Sequence, residues 1–80
     1  MRDPEILATL TRVLRDLLGD DTVMLDMQTV RADVPGWDSC TYVTFIVASE
    51  MELGIKFGIA EVESFITVGE IVAEVRNLLG

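Results

Sequence analysis

Apolar residues recur every three or four positions near the start of the chain, with charged residues between them. This spacing is typical of a helix with one apolar face. Asp3 suits the N-cap, Pro4 suits the first helical position, and Gly19 favours a stop. We therefore predict a first helix from Pro4 to Leu18, with an apolar face made of Ile6, Leu7, Leu10, Val13, Leu14, Leu17 and Leu18.

The segment from Gly19 to Asp38 shows no clear helical or strand period. It holds isolated apolar residues and then Pro35-Gly36, a dipeptide that marks a turn. We expect a long loop with scattered anchors, and the pattern allows a short turn of helix from Val23 to Met27. A long connection in a small domain is more often functional than passive.

The segment from Ser39 to Leu53 contains neither Gly nor Pro. Its β-branched residues would allow a strand. A helix is favoured because Asp38 can act as its N-cap, Gly54 can end it, and the segment is too long for a typical strand.

The rest of the chain predicts a short helix and a final long one. Ile55 and Phe57 should lie on one side of an extended stretch, and residues Ala60 to Ser64 can form one helical turn. Thr67 and Glu70 have the spacing of a capping box. It would open a last helix from Val68 to Leu79, with an apolar stripe of Ile71, Val72, Val75, Leu78 and Leu79.

Composition narrows the class of protein. The 80 residues suit one domain spanning residues 1–80, and the 14 acidic against 6 basic residues give a net charge of −8. Such a surface repels nucleic acid and anionic lipid, and it favours partners that present Lys and Arg. A single cysteine, no apolar leader and no long apolar run predict a cytoplasmic protein without a membrane segment. Without histidine or a credible base–nucleophile set we expect no catalytic residues, and we expect no metal site.

The most informative segment is Gly36-Trp37-Asp38-Ser39-Cys40, which places a hydroxyl at the start of a predicted helix. Unpaired N–H groups and the helix dipole make that position favourable for a phosphate. Ser39 should be exposed there, with the Asp38 carboxylate occupied in capping the helix. An Asp-Ser pair alone is a common helix cap and carries no function by itself.

Over nearly its whole length the chain resembles the acyl carrier protein family. The family's Gly-x-Asp-Ser-Leu signature corresponds to the segment from Gly36 to Cys40, and its Glu-x-x-Phe-Gly-Ile pattern corresponds to Glu50–Ile55. Phe65–Val72 is similar to the start of the family's final helix. The resemblance implies an all-α fold, a four-helix bundle of acyl-carrier type with three main helices, one short helix and a long first loop.

The same resemblance implies the chemistry. A phosphopantetheinyl transferase that needs magnesium would attach 4′-phosphopantetheine from coenzyme A to Ser39, beside the capping Asp38. The arm would hold acyl groups as thioesters for acyl-loading, condensing or modifying enzymes. The protein would be a monomeric carrier and not an enzyme. We favour a discrete carrier of polyketide or related specialised biosynthesis. The alternatives are an aminoacyl or peptidyl carrier of nonribosomal peptide synthesis, and a helical docking module that is never modified.

Several residues depart from the family pattern. Cys40 replaces the usual Leu, which we interpret as a packing substitution in preference to a reactive thiol. The second helix starts with ten uncharged residues, so docking would rely on apolar contact, unless Val43, Ile46 and Val47 are mostly core. Trp37 could pack under the loop or line the path of the arm, and we expect it to pack under the loop. The four methionines, Met1, Met24, Met27 and Met51, are too scattered to mark a metal or cofactor site. The two in the loop, Met24 and Met27, are interpreted as gap fillers in preference to part of a cargo pocket.

Overall fold

The computed structural model describes residues 1–80 and is built from helices alone. Its elements are α1 (Asp3–Leu18), a single 3-10 turn (Arg31–Asp33), α2 (Ser39–Leu53), α3 (Ile59–Ser64) and α4 (Val68–Leu79). The predicted all-α class, with three main helices, one short helix and a long first loop, is therefore confirmed. None of these helices combines the length and the apolar character needed to cross a membrane.

Helix α1 begins one residue earlier than predicted, because Asp3 is not its N-cap. Arg2 holds that position, and its backbone N–H donates to Oε1 of Glu5 at 3.1 Å. The Asp3 carboxylate instead accepts two bonds from Nη1 of Arg76, at 2.8 and 3.0 Å. Asp3 is thus paired with a residue near the other end of the chain and does not cap α1 as the sequence suggests. The predicted stop is confirmed, since Gly19 adopts φ 64°, a conformation that favours glycine.

The core lies where α1 packs against both α2 and α4. Its fully buried side chains come from all three helices: Ile6, Leu10, Leu14, Phe45, Val68, Val72 and Val75. The predicted stripe of α4 is wrong in its last turn, where Leu78 and Leu79 are exposed. The Arg76–Asp3 pair places the end of α4 beside the start of α1.

The long loop is extended where a helical turn was allowed, so that prediction for Val23 to Met27 is wrong. Val23 and Leu25 are buried while Met24 between them is exposed, which is the two-residue alternation of extended chain. The backbone N–H groups of Val68 and Gly69 donate to loop carbonyls, each at 2.9 Å. These bonds fasten the loop to the start of α4.

Candidate functional site

Ser39 is the first residue of α2 and its side chain is exposed. Asp38 is the N-cap, as predicted, and its Oδ1 accepts the backbone N–H of Thr41 at 2.9 Å. This bond lowers the pKa of the Asp38 carboxyl below its ordinary value of 3.8. The backbone N–H of Ser39 makes no hydrogen bond within the protein. The end of the helix therefore presents a free hydroxyl and a free donor side by side.

Two local features place Ser39 at the surface. Gly36 adopts φ 87°, a left-handed conformation that turns the chain just before the helix. Trp37 then points inward, with 4% of its surface exposed, and its ring meets Phe45 edge-on at 5.1 Å between centroids. The prediction that Trp37 packs under the loop is confirmed. This buried anchor holds the backbone immediately before Asp38 and Ser39.

Cys40 lies beside Ser39 and is exposed. An exposed thiol fills no gap in the bundle, so interpreting Cys40 as a packing residue is wrong. The gap-filling interpretation of the loop methionines is wrong for the same reason, because Met24 and Met27 are exposed, as are Met1 and Met51.

Arg31 and Tyr42 stand close to the site, and sequence reasoning did not identify either of them. The Arg31 guanidinium carbon lies 4.6 Å from the centroid of the Tyr42 ring, a cation–π contact. The Tyr42 hydroxyl donates to the backbone carbonyl of Val62 in α3 at 2.7 Å. Burial raises the pKa of Tyr42 above its ordinary value of 10.0, and the Arg31 charge opposes part of that rise. Only the position of Tyr42, one turn after Ser39, could have suggested its place.

Part of the exposed side of α2 is apolar. Val43, Val47 and Met51 are 57%, 47% and 81% exposed and follow one another at four-residue intervals; we call them the α2 apolar face. Ile46 is buried, so the two alternatives for the helix each hold for part of it.

The two acidic residues of α2 already have partners inside the protein. The Glu50 carboxylate accepts the backbone N–H of Phe57 at 2.7 Å, and Glu52 pairs with Arg12. These internal contacts engage the acidic charge of α2, whereas the α2 apolar face has no such partner.

Comparison with known proteins gives two informative matches. No protein-family model matches the chain. The acyl carrier protein of Thermotoga maritima is 30% identical over 76 residues, which cover 95% of this chain and 94% of that protein. The solution structure of a holo acyl carrier protein from Geobacter metallireducens matches with a TM-score of 0.84 and 32% identity, over 91% of this chain and 84% of that one. Both relatives are carriers, which confirms the prediction of a carrier and not an enzyme. Sequence identity and fold agree over almost the full length, and this chain belongs to the acyl carrier protein family.

Proposed function

We propose that Ser39 is the attachment site of a 4′-phosphopantetheine arm, on which the protein holds acyl groups as thioesters. The observation that carries this proposal is the exposed Ser39 hydroxyl at the start of α2, with Asp38 engaged in capping. The related Geobacter metallireducens protein is described as a holo carrier, which supports a prosthetic group of this kind. When attached, the arm supplies a terminal thiol that forms the thioester.

The residues around Ser39 fit a phosphodiester. Its free backbone N–H and the dipole of α2 favour a negatively charged group at this end of the helix. Asp38 places a second negative charge nearby, and its Oδ1 accepts the N–H of Thr41, so a donor of the helix itself stabilises that charge. Ser39 therefore accepts the phosphopantetheinyl group, and Asp38 keeps the helix end in place.

The partners would be a phosphopantetheinyl transferase and then acyl-loading, condensing or modifying enzymes. The α2 apolar face supports docking through apolar contact, because Glu50 and Glu52 are both engaged within the protein. A partner that buries Val43, Val47 and Met51 would remove exposed apolar surface from water. We further propose that residues 1–80 act as a single cytoplasmic carrier domain and as a monomer.

Polyketide or related specialised biosynthesis is the pathway we favour, on the grounds of Trp37, Cys40 and the uncharged start of α2. Aminoacyl or peptidyl transfer is the second candidate. The intact mass of the protein purified from its native source distinguishes them, because each cargo adds its own mass to the arm.

The attachment site is tested with coenzyme A, magnesium and a broad-specificity phosphopantetheinyl transferase. The intact mass should rise by one phosphopantetheinyl group, and Ser39→Ala should abolish the rise. Ser64→Ala is the matched control, because Ser64 is also an exposed serine next to a helix end and should leave the rise unchanged. If no transferase modifies the wild-type protein, the proposal is wrong and an unmodified docking module is favoured.

A further inference from the structure

A small cavity lies just inside the start of α2. Trp37 and Tyr42, the aromatic residues on either side of Ser39 in the chain, both line it. Phe65 and Ile71 supply further apolar walls from the α3–α4 junction and from α4. Its volume is about 10 Å³, room for roughly one water molecule. The cavity is thus both mostly apolar and close to the proposed attachment point.

Trp37, one of the residues that line the cavity, carries a polar group without a partner. The indole Nε1–H of Trp37 is buried and makes no hydrogen bond. An indole N–H can only donate, so it requires an acceptor. Buried donors in folded proteins are nearly always paired, and an orphan calls for a specific explanation. The edge contact with Phe45 fixes the ring, so the indole cannot easily turn toward solvent.

The hydroxyls that line the cavity are already engaged elsewhere. The Thr29 hydroxyl accepts the backbone N–H of Asp26 at 2.9 Å and donates to its carboxylate at 3.1 Å. The Tyr42 hydroxyl donates to the Val62 carbonyl at 2.7 Å. A third hydroxyl, at the N-cap of α4, accepts a backbone N–H of that helix. The lining thus combines apolar side chains with Thr29, Arg31 and Thr67, and the Trp37 Nε1–H has no acceptor within the protein.

We propose that Trp37 Nε1–H donates a hydrogen bond to an oxygen on the acyl cargo, so that this carrier favours chains bearing an oxo or hydroxy group. This inference rests on the proposed function, since the cargo is held on the arm at Ser39. The aromatic and aliphatic walls take the hydrocarbon part of the chain, and the indole selects its oxygen. A fully reduced alkyl chain would leave the indole unpaired.

The cavity must widen to admit a chain, and the segment that follows the short helix α3 forms one of its walls. Helix α3 has only six residues, and none of them is buried. The hydroxyl of Tyr42 ties α3 to α2, and the adjoining Ile66 is exposed. A short, lightly held element of this kind moves at low cost in free energy.

The first test uses the single tryptophan, which gives one indole resonance in an ¹⁵N–¹H correlation spectrum. The protein is loaded with octanoyl or 3-oxooctanoyl pantetheine, and intact mass verifies each load. We expect a downfield shift of the indole proton and slower exchange with deuterium for the 3-oxooctanoyl form alone. The same indole response with both chains, or with neither, overturns the inference while the mass gain upholds the proposed function. If no load forms, the proposed function and the inference both fail.

The second test measures how well the protein protects each thioester. The rate of hydroxylamine cleavage of the thioester on free pantetheine is divided by its rate on the carrier. This protection factor should be about fivefold larger for 3-oxooctanoyl than for octanoyl, the effect expected of one hydrogen bond. Trp37→Phe keeps an aromatic ring, removes the donor and should bring the two factors together.

Ser49→Ala is the matched control for the protection measurement. It removes the other buried polar group without a partner, lies outside the cavity lining and leaves the indole in place, so the preference for the 3-oxo chain should persist. Loss of the preference in Ser49→Ala, or its survival in Trp37→Phe, contradicts the inference. The indole spectrum of the wild-type protein decides the matter if Trp37→Phe fails to fold.

Discussion

The hydroxyl of Tyr42 donates to the backbone carbonyl of Val62 at 2.7 Å, which joins the first turn of α2 to the short helix α3. Tyr42 lies one turn after Ser39, so the residue that holds α3 also stands beside the proposed attachment site. Its ring packs near Trp37, with 6.3 Å between centroids. The placement of α3 and the start of α2 are thereby linked through one side chain.

Replacing Tyr42 with Phe should lower the free energy of unfolding by about 1 kcal/mol, because the Val62 carbonyl loses its donor. The loss should be visible in urea unfolding followed by circular dichroism.

The pH dependence of stability gives a second measurement. Because burial raises the pKa of Tyr42 above 10.0, the folded state retains the proton longer than the unfolded state. The stabilisation is complete below pH 10 and is lost as the pH rises through the higher pKa that Tyr42 has in the folded state.

The Phe variant lacks this titration, so its stability should fall less steeply than that of the wild type above pH 10. Equal slopes for the two proteins would show that another group accounts for the alkaline loss.

Asp38 stabilises α2 by capping it, and its contribution should depend on acid pH. Hydrogen bonding to the backbone of Thr41 lowers the Asp38 pKa below 3.8, so the folded state gives up the proton more readily than the unfolded state. The stabilisation is fully present above pH 3.8, the ordinary pKa of the group, and it is lost as the pH falls through the lower pKa of the folded state. Asp38→Ala should lower the melting temperature at pH 7 and flatten this part of the acid profile.

Asp38→Asn separates the cap from the charge, because Asn caps helices about as well as Asp. We expect Asn to keep the melting temperature near that of the wild type at pH 7 and to remove the acid-dependent part. The pKa values of the Asp20 and Glu70 carboxyls are also lowered, so these two groups contribute to the remaining acid loss. An Asn variant as unstable as the Ala variant would contradict the capping account.

Local signals in the sequence were sufficient for α2 and α4. Asp38 and Gly54 predict the ends of α2, Thr67 begins α4 as predicted, and both helices have the expected bounds. The start of α1 was missed by one residue, because Asp3 is held by Arg76 from the other end of the chain. Pairing over such a distance leaves no trace in a local pattern.

The candidate site, too, could be predicted from the sequence only in part. The exposure of Ser39 and the capping by Asp38 follow from the geometry of a helix end, and the sequence therefore predicts them. The cation–π contact between Arg31 and Tyr42 depends on how the long loop folds back across α2. That loop has no period, and its path is set by bonds to the start of α4, so its contacts required the structure.

Gly69 lies where the long loop meets α4 most closely. A Cβ at this position would stand 2.5 Å from the carbonyl oxygen of Met27, the same atom that accepts the Gly69 N–H at 2.9 Å. Ala is the better helix former by about 1 kcal/mol. The clash should cost about 1–3 kcal/mol, so after this gain the net loss of stability in Gly69→Ala should be up to about 2 kcal/mol, measured by urea unfolding.

Gly58→Ala is the control for Gly69→Ala. A Cβ at Gly58 meets only the side chain of Glu61, which can rotate away. This variant should cost far less stability than Gly69→Ala. Comparable losses at the two glycines would mean that contact with the Met27 carbonyl is not the cause.

The α2 apolar face should matter for the transferase that modifies Ser39. Val47→Glu places a charge in the middle of this face, and we expect it to raise the KM of the transferase about tenfold with little change in kcat. Ala8→Glu adds the same charge to an exposed position on α1 and should leave the KM unchanged. If Val47→Glu behaves like Ala8→Glu, the transferase does not contact the α2 apolar face.

Ser49 is the second buried residue with an unpaired polar atom. Replacing it tests whether such a buried group lowers the free energy of unfolding. It is fully buried within α2, and its Oγ has no hydrogen-bond partner. Removing an unpaired hydroxyl removes a desolvation penalty, so Ser49→Ala should be neutral or should stabilise the protein by up to about 1 kcal/mol in urea unfolding. The matched control is Thr29→Val, since the buried Thr29 hydroxyl is bonded to Asp26 and its loss should cost about 1 kcal/mol. A loss in Ser49→Ala as large as in Thr29→Val would show that the Ser49 hydroxyl has a partner in solution.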